Sequence, residues 1–362
     1  MHRLFTWMHT HEKHLSAFAM VAGFIADNLL FVRVDLLQTQ VLLAAYAAVC
    51  FLAIPLLHWI ESRAARRGTP LPRVRIILPL ITQFALGGFW SAFVIFYGRS
   101  AVLGASWPFL LFLFLVFLGS EYFHQYHTRL VFTSILFFFA LYSCAIFMLP
   151  MYTGSIGTPT FLASGLVAIG VFALFTGFLR MVARERFLAE VWRIRVGAAL
   201  VLAVVNIFYF TNILPPLPLS STAAGVYHEV WHIPGAYYAK SETGQPWQVR
   251  YLGFPPTLHI GQNESLFAYS SVFAPTAVKA TIVHRWQWYD AVQKVWMTRA
   301  AVAYSIVGGR DGGYRGYSKV LITDAGQWRV NIETTDGRLI EQLPFTAERV
   351  ALPPPEETIT LK

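Results

Sequence analysis

The sequence predicts a membrane α-helical bundle of about seven transmembrane helices, followed by an all-β domain of the immunoglobulin-like sandwich type. Three observations lead to this fold class. The chain of 362 residues is 56% hydrophobic and only 13% charged, whereas soluble domains carry about 25% charged residues. Long apolar runs stop at Leu214, before the segment Pro215-Pro216-Leu217-Pro218. Beyond that segment, short runs alternate apolar and polar residues, as in strands. This composition excludes a disordered chain and an ordinary cytosolic enzyme.

The first 214 residues contain seven apolar runs that are long enough to cross a bilayer, although counts of six or eight stay open. The predicted spans are 15–34, 37–60, 76–98, 102–120, 130–149, 161–179 and 196–214. Asp27 and Asn28 interrupt the first run, and no small-x-small cleavage pattern follows it. We therefore expect a retained helix there rather than a cleaved signal peptide.

The positions of Lys and Arg predict the orientation of the bundle. With seven spans, 13 of these residues fall on one side and two, Arg33 and Arg99, fall on the other. Cytoplasmic loops carry the excess of Lys and Arg, so the amino terminus is predicted to be cytoplasmic and everything after Leu214 extracytoplasmic. Residues 1–214 hold 15 Lys/Arg against 7 Asp/Glu, and residues 215–362 hold 13 against 12. Basic loops beside apolar runs predict a lipid bilayer as partner and argue against a nucleic acid.

The second half reads as a Pro-rich joint and connector (215–256), a β-sandwich (257–351) and a flexible tail (352–362). Val278, Ala280 and Ile282 alternate with polar residues as one face of a strand does. About seven antiparallel strands are expected between Leu258 and Val350, and a short helix near His228. The tryptophans predicted to lie in the sandwich core are Trp286, Trp288 and Trp328. Trp296 and Tyr289 are less clearly internal. The two cysteines, Cys50 and Cys144, both lie in apolar runs, so the β half has no disulfide.

Several short motifs of the second half carry a family resemblance. They are His284-Arg285-Trp286, the run from Gly308 to Ser318, Gly326-Gln327-Trp328-Arg329-Val330, Asp336-Gly337 and Phe345. With these motifs the chain resembles the bacterial multi-pass membrane proteins of domain-of-unknown-function family 2914, over about 90 residues. A Gly23-Phe24-x-x-Asp27 stretch makes the membrane half similar in kind. The resemblance implies several helices ahead of the β domain and a bacterial inner (cytoplasmic) membrane location. It implies no activity.

The glycine-rich run from Gly308 to Tyr317 is a candidate ligand-binding edge. It is not a phosphate loop, because it lacks the G-K-[ST] ending and the strand–loop–helix context. One interpretation is a hairpin loop in which glycine supplies positive φ angles. The other is a binding edge for a glycan or an anion, to which the side chains would present flat donors and rings. The residues of that edge are Arg310, Tyr314, Arg315 and Tyr317.

Ionisable residues in or near the predicted spans form a second group of candidates: Asp27, Glu121, His124 and His127. Charged groups at membrane depth are costly and often mark ion paths or substrate contacts. A proton or metal site is therefore one interpretation of Glu121-x-x-His124-x-x-His127. The other is that headgroups and water solvate these residues at the interface. For Asp27, the simplest interpretation is a structural ion pair between helices, with Arg33 or Arg99.

The segment His228-Glu229-Val230-Trp231-His232 matches H-E-x-x-H, the zinc protease signature. On a helix, His228 and His232 would share one face and bind Zn²⁺, with Glu229 polarising a water and Glu264 as a conceivable third ligand. Pro234-Gly235 leaves room for only a short helix, so this candidate is weak. We therefore predict no metal and no cofactor.

Taken together, these patterns favour a non-catalytic inner-membrane protein whose extracytoplasmic sandwich binds an envelope protein or a glycan. A transporter or a membrane-embedded enzyme acting on a lipid-linked substrate is the alternative, and a zinc metalloprotease is a minor one.

Overall fold

The structure is a computed structural model that describes residues 25, 27, 31, 35–68, 74–100, 102–122, 129–244, 246–247, 249, 254–276, 278–310 and 312–361. The chain divides into two compact units, a helical one formed mostly by residues up to Phe210 and a β-rich one from Thr211 onward.

Six helices make up the described part of the helical unit. They are α1 (Leu37–Arg67), α2 (Val74–Ser100), α3 (Leu103–Tyr122), α4 (Leu130–Thr153), α5 (Thr158–Val182) and α6 (Arg184–Phe210). Five of these are long and apolar enough to cross a membrane, whereas α3 has a shorter apolar part, Ala105–Gly119. The predicted first span, 15–34, lies almost wholly outside the described residues. The described helices thus number six, where the sequence predicts about seven spans.

Two helices extend into segments that the sequence predicts as basic loops. Helix α1 continues to Arg67 and ends at Gly68, whose left-handed φ of 60° lets its N–H bond to the carbonyl of Ala64. Only Ala183 separates α5 from α6, so the predicted loop 180–195 is largely helical. Arg, Glu, Leu and Ala favour helix, and an amphipathic basic segment can therefore prolong an apolar helix instead of ending it.

Aromatic rings fill the interior of the helical unit. Trp90 of α2 packs on Phe139 of α4 with ring centroids 5.0 Å apart, and Phe93 stacks on Phe147 at 5.5 Å. All four side chains are buried. Close-packed rings give these helices a specific apolar contact, which is the kind of packing that holds helices together when lipid replaces water.

Eleven strands form the described part of the β-rich unit. They are β1 (Ser220–Tyr227), β2 (Glu229–Ile233), β3 (Ala236–Glu242), β4 (Thr257–Ile260), β5 (Ser265–Phe273), β6 (Lys279–Asp290), β7 (Val295–Val307), β8 (Tyr314–Leu321), β9 (Gly326–Thr334), β10 (Leu339–Arg349) and β11 (Glu356–Leu361). Seven of them, β4 to β10, lie between Thr257 and Arg349, as the alternating pattern predicts.

The strands assemble into three sheets. Sheet 1 has the order β4-β10-β9-β6-β7, sheet 2 the order β1-β5-β8, and sheet 3 the order β11-β3-β2. All pairings are antiparallel except β4 with β10, which is parallel, where the sequence predicts antiparallel strands throughout. Sheets 1 and 2 enclose the main core, to which Trp286, Trp328 and Phe345 of sheet 1 and Leu266 and Ala268 of sheet 2 contribute.

The middle strand of sheet 2, β5, is buried on both faces. Successive residues of β5 point to opposite sides, so Ala268 joins the core shared with sheet 1 while Tyr269 packs against Val230, Ala239 and Leu361 of sheet 3. This third sheet differs from the expected connector with a short helix near His228. The tail also differs from the expected disorder, because β11 pairs with β3.

Candidate functional site

The glycine-rich segment connects two sheets rather than two hairpin strands. It leaves β7 at the edge of sheet 1 and enters β8 at the edge of sheet 2. Gly309 and Gly313 have φ angles of 98° and 82°, in the region that glycine favours. A side chain at Gly308 would overlap the backbone carbonyl of Pro275. The glycines therefore serve the crossover between the sheets, in part as the loop interpretation predicts.

The four residues of the predicted ligand edge fall into two pairs. Alternation along β8 places Tyr314 toward sheet 1, where it packs against the core residues Val272 and Ile306. The Arg310 guanidinium lies over the Tyr314 ring at 4.8 Å. Arg315 and Tyr317 point to the opposite side of sheet 2. The structure does not bring all four side chains to one surface.

Arg315 and Tyr317 lie at a surface where the edge of sheet 2 meets sheet 3. The side chains there, which we call the rim, are Tyr237, Phe267, Arg315, Tyr317 and Lys319. Register places Tyr317 beside Tyr269 and Lys319 beside Phe267 on adjacent strands. Tyr237 reaches across from β3, with its ring centroid 6.5 Å from that of Tyr317. Of the five rim residues, the sequence predicts only Arg315 and Tyr317 as candidates, and not Lys319 of the same strand.

The rim combines cations with aromatic rings. The Arg315 guanidinium lies 5.9 Å from the Tyr237 ring and the Lys319 ammonium 5.4 Å from the Phe267 ring. Cation–π contacts at exposed sites are worth about 0.5–1 kcal/mol. Within the described residues, neither cation has a carboxylate at salt-bridge distance. Tyr317 is 43% exposed. The rim thus presents positive charge and ring faces to solvent, a combination suited to an anionic or a sugar ligand.

The H-E-x-x-H segment does not form a zinc site. It lies on strand β2 and the residue before it, not on a helix. Four residues of strand separate His228 from His232 by about 13 Å, whereas one Zn²⁺ needs both nitrogens at about 2 Å. His228 is buried, and His232 is exposed with its ring 4.6 Å from that of Tyr237. In the described part of the chain, no group of three or more His, Cys, Asp or Glu side chains could hold a metal ion.

His228 belongs instead to a buried network of charged groups. Its Nδ1 lies 2.6 Å from Oε1 of Glu264 and its Nε2 lies 2.9 Å from Oε1 of Glu242. Glu242 also accepts hydrogen bonds from the backbone N–H of His259 at 2.5 Å and from its Nδ1 at 2.9 Å. Burial alone would lower the pKa of His228, but the bonds to Glu264 and Glu242 and their charges outweigh burial and raise that pKa. The network joins the ends of β1, β3, β4 and β5.

A second polar network lies inside the main core. The Nε2 of His284 shares a hydrogen bond with the Ser270 hydroxyl at 2.8 Å, and its Nδ1 shares one with the Ser318 hydroxyl at 2.9 Å. The Trp286 indole donates to Ser318 at 3.0 Å, and Tyr304 lies 2.6 Å from Ser270. Burial lowers the pKa of His284 to about 4, so the ring is neutral at physiological pH. Ser270, His284 and Ser318 are buried, so we interpret this network as structural.

The intramembrane candidates are only partly described. Asp27 is half-buried. The side chain of Glu121, at the end of α3, and the residues His124 and His127 lie outside the described residues. The predicted proton or metal site at Glu121 therefore stays a prediction.

Comparison with known proteins finds a family model that matches part of the β-rich unit. Residues 279–347, which run from β6 into β10, match the model of a family described as a protein of unknown function (DUF2914). None of the curated proteins matches the chain in sequence. Among solved structures, a β-glucosidase from Listeria innocua bound to glucose covers 33% of this chain at 12% identity, with a TM-score of 0.22. The match spans 17% of the β-glucosidase chain.

A second solved structure, the alkylpurine DNA glycosylase AlkC from Pseudomonas fluorescens bound to DNA, aligns with 85% of this chain and 96% of its own. The identity is 9% and the TM-score is 0.23. Neither likeness is close enough to carry an argument on fold or activity. What the comparisons support is the family resemblance of strands β6 to β10, over residues 279–347.

Proposed function

We propose that the chain is a multi-pass protein of the bacterial inner membrane whose β-rich unit lies outside the cytoplasm and binds an envelope protein or a glycan without catalysis. In this proposal, the undescribed first run completes a bundle of seven spans. Sheets 1 and 2 form an immunoglobulin-like sandwich, to which sheet 3 is an addition.

Membrane insertion is supported by the surface of the helices as well as by their length. Large apolar side chains point outward along α2, α5 and α6, among them Phe84, Leu166 and Leu200. Exposed apolar patches of this kind are unfavourable in water and favourable against lipid tails. Only 17% of the most apolar window of α6 is buried within the structure, so most of that helix needs lipid to cover it.

The placement of two predicted cytoplasmic segments on one side of the membrane is supported by an ion pair between them. Arg186, at the start of α6, pairs with Glu61, near the end of α1. Both residues belong to segments that the Lys and Arg bias assigns to the same side of the membrane. Their contact requires that these two segments lie at the same end of the bundle, as a cytoplasmic location for both demands.

An anchoring role is favoured over transport by the packed interior of the helices. The described parts of α2 and α4 face each other through buried rings such as Trp90, Phe93 and Phe147. Transport sites are built from polar groups and unwound helices near the membrane midplane. Apolar close packing supports a helical unit that holds the β-rich unit in place.

The single observation that carries the binding proposal is the rim. Its two cations lack carboxylate partners among the described residues, and its aromatic rings are partly exposed. Uncompensated cations beside ring faces recruit acidic groups and the flat faces of sugars or side chains.

The proposed orientation is tested by cysteine labelling. In intact spheroplasts, a membrane-impermeant maleimide should label a cysteine that replaces the exposed Val292 of the β-rich unit. It should label a cysteine that replaces Arg66 only after permeabilisation. The reverse pattern would overturn the orientation.

The binding proposal is tested in cells with a photo-reactive amino acid in place of Tyr317. It should cross-link to an envelope component, and the double variant Arg315→Gln/Lys319→Gln should reduce the yield at least about tenfold. The matched control, Lys279→Gln/Lys294→Gln, removes the same charge elsewhere on the unit and should leave the yield unchanged. No cross-link, or an equal yield from the rim variant, would contradict a binding role for the rim.

A further inference from the structure

The outward face of sheet 1 carries a second cluster of aromatic and polar side chains, away from the rim. On β6 and β9 the residues Trp286, Trp328 and Val330 point into the core. Their neighbours in sequence, such as Gln287 and Arg329, therefore point to the other side of the sheet. These outward side chains are partly exposed. The cluster lies entirely within the segment that matches the family model.

A row of hydrogen-bonded side chains crosses four strands of this face. Gln287 donates through Nε2 to Thr298 Oγ1 at 3.2 Å, and Asn331 donates to Gln287 Oε1 at 3.3 Å. Gln342 donates to Asn331 Oδ1 at 2.9 Å. We call Thr298, Gln287, Asn331 and Gln342 the amide row. Three strand spacings make it about 14 Å long, and its mutual bonds hold the side chains in place before any ligand arrives.

An aromatic platform lies beside the amide row. The rings of Trp296 and Tyr289 have centroids 5.1 Å apart with planes at 52°. The Arg329 guanidinium lies 4.2 Å from the Trp296 ring and donates through Nε to Gln287 Oε1 at 2.7 Å. Arg329 thus links the platform to the row, and its own orientation is fixed from two sides.

The face has an excess of positive charge. Arg285 donates to Glu333 at 2.7 Å, so these two charges offset each other. Within the described residues, Arg329 contacts no carboxylate at salt-bridge distance. A guanidinium with free donors next to amide groups can bind a carboxylate in a bidentate manner.

We infer that this face is a binding site for a carboxylated glycan chain, whose sugar rings stack on Trp296, whose hydroxyls bond to the amide row and whose carboxylate pairs with Arg329. A sugar offers apolar C–H faces and hydroxyl groups in alternation, which are the two features that the platform and the row complement. This inference rests on the proposed extracytoplasmic location, where such glycans are met, but it does not involve the rim.

The test uses the full chain in nanodiscs and three probes: an oligogalacturonate, a neutral cello-oligosaccharide and poly-glutamate. The oligogalacturonate should bind, the neutral chain at least about tenfold more weakly, and poly-glutamate weakly as well. Trp296→Ala should lower the affinity for the oligogalacturonate at least about tenfold, as for a hot-spot aromatic residue. Arg329→Gln should lower it to that of the neutral chain.

Two controls separate this site from the rest of the protein. Trp231→Ala removes a partly exposed tryptophan from sheet 3, where it stacks on Tyr238, and should leave the affinity unchanged. The rim variant Arg315→Gln/Lys319→Gln should also leave it unchanged, so that a failed rim and a failed glycan site give different results. Because Trp296→Ala could disturb folding, the affinity of Arg329→Gln for the oligogalacturonate provides a second test of the same site.

Several results would overturn the inference. One is no binding of the oligogalacturonate, and another is an affinity for it that Arg329→Gln or Trp296→Ala leaves unchanged. A third is equal affinity for poly-glutamate. The last result would show that charge alone is recognised, and the ligand would then be an acidic polypeptide. Equal affinity for the neutral chain would exclude the carboxylate as the recognised group.

Discussion

His228 and Glu242 lie 2.9 Å apart, from ring Nε2 to carboxylate Oε1, and both side chains are 3% exposed. The other ring nitrogen of His228 faces Glu264 at 2.6 Å, with Glu356 of β11 3.8 Å away and His259 on the far side of Glu242. A histidine can donate from both nitrogens only as the imidazolium. The folded β-rich unit therefore favours a charged His228.

The stability of the β-rich unit should fall as pH rises above the ordinary histidine pKa of about 6.5 and through the raised pKa of His228. The pKa of His228 is raised in the folded protein, so its stabilisation is complete below its ordinary pKa of about 6.5 and is lost as pH rises through the raised value. Hydrogen exchange of the β3 and β5 amides should show this loss in wild type. His228→Gln should weaken the pH dependence, and His232→Gln, at an exposed histidine, should not. A wild-type profile that stays flat as pH rises above about 6.5 would contradict the raised pKa of His228.

His284 should produce the opposite effect in acid. Burial lowers its pKa from 6.5 to about 4. A depressed pKa gives stability that is present above the unfolded value and is lost as pH falls toward the folded value, by up to about 3 kcal/mol. His284→Gln should remove this acid-dependent loss, measured as exchange of β6 and β9 amides between pH 7 and pH 4. If the variant and wild type lose stability in parallel, carboxylates and not His284 account for the acid effect.

The elements that the sequence predicts well are those in which one physical pattern dominates. Uninterrupted apolar runs mark α1, α2, α4 and α5, and strict alternation marks β6 and β9. The sequence does not predict sheet 3 or β1, and for β1 the reason lies in its composition and burial. The strand Ser220–Tyr227 is rich in Ser, Ala and Gly and is partly buried on both faces, so it shows no alternation of apolar and polar residues.

The candidate site residues differ in the same way, since those in a local sequence motif are predicted and those that meet only in the folded chain are not. Arg315 and Tyr317 are visible in a glycine-rich motif, but Tyr237 and Phe267 join them only through strand register and sheet stacking, which no local pattern encodes. The H-E-x-x-H motif predicts a zinc site only where it lies on a helix, and here it lies on a strand. Val230, Trp231 and Ile233 favour a strand, and that preference was the available signal. Trp296 and Tyr289, which the sequence does not place clearly inside, lie on the outward face of sheet 1.

Gly308 should not tolerate a side chain. A Cβ there would overlap the Pro275 carbonyl oxygen and lie 2.7 Å from that of Ala274. The backbone N–H groups of Gly308 and Gly309 bond to Val278 and Ala274 at 2.9 and 3.0 Å, so the backbone cannot move away freely. Gly308→Ala should cost about 2–3 kcal/mol of stability.

The control for this prediction is Gly312→Ala, in the same loop. A Cβ at Gly312 has as its nearest neighbour the Arg315 guanidinium at 3.6 Å, an ordinary contact. This variant should keep wild-type stability, measured for both by thermal unfolding of the full chain followed by near-UV circular dichroism. Equal midpoints for the two variants would show that the crossover between β7 and β8 can move to accommodate a side chain at Gly308.

Strand β11 should stabilise the β-rich unit although it follows three prolines, Pro353 to Pro355. It pairs with β3 over six residues, and Leu361 and Ile359 pack against Tyr269 and Ala239. A chain that ends at Pro355 keeps the carbonyl to which Thr243 bonds but loses the apolar cover over Tyr269. Burying two aliphatic side chains is worth about 1.5–3 kcal/mol each.

We therefore expect faster hydrogen exchange at β3 and β5 in the truncated chain, and a lower unfolding midpoint. Ile359→Ala should reproduce part of the loss, because it removes packing while leaving the strand pairing intact. Thr358→Ala and Thr360→Ala change side chains that are exposed on the same strand and should have little effect. If truncation and wild type exchange alike at β3, the packing of β11 on Tyr269 contributes nothing to stability. If only Ile359→Ala is silent, the backbone pairing with β3 is what stabilises the unit.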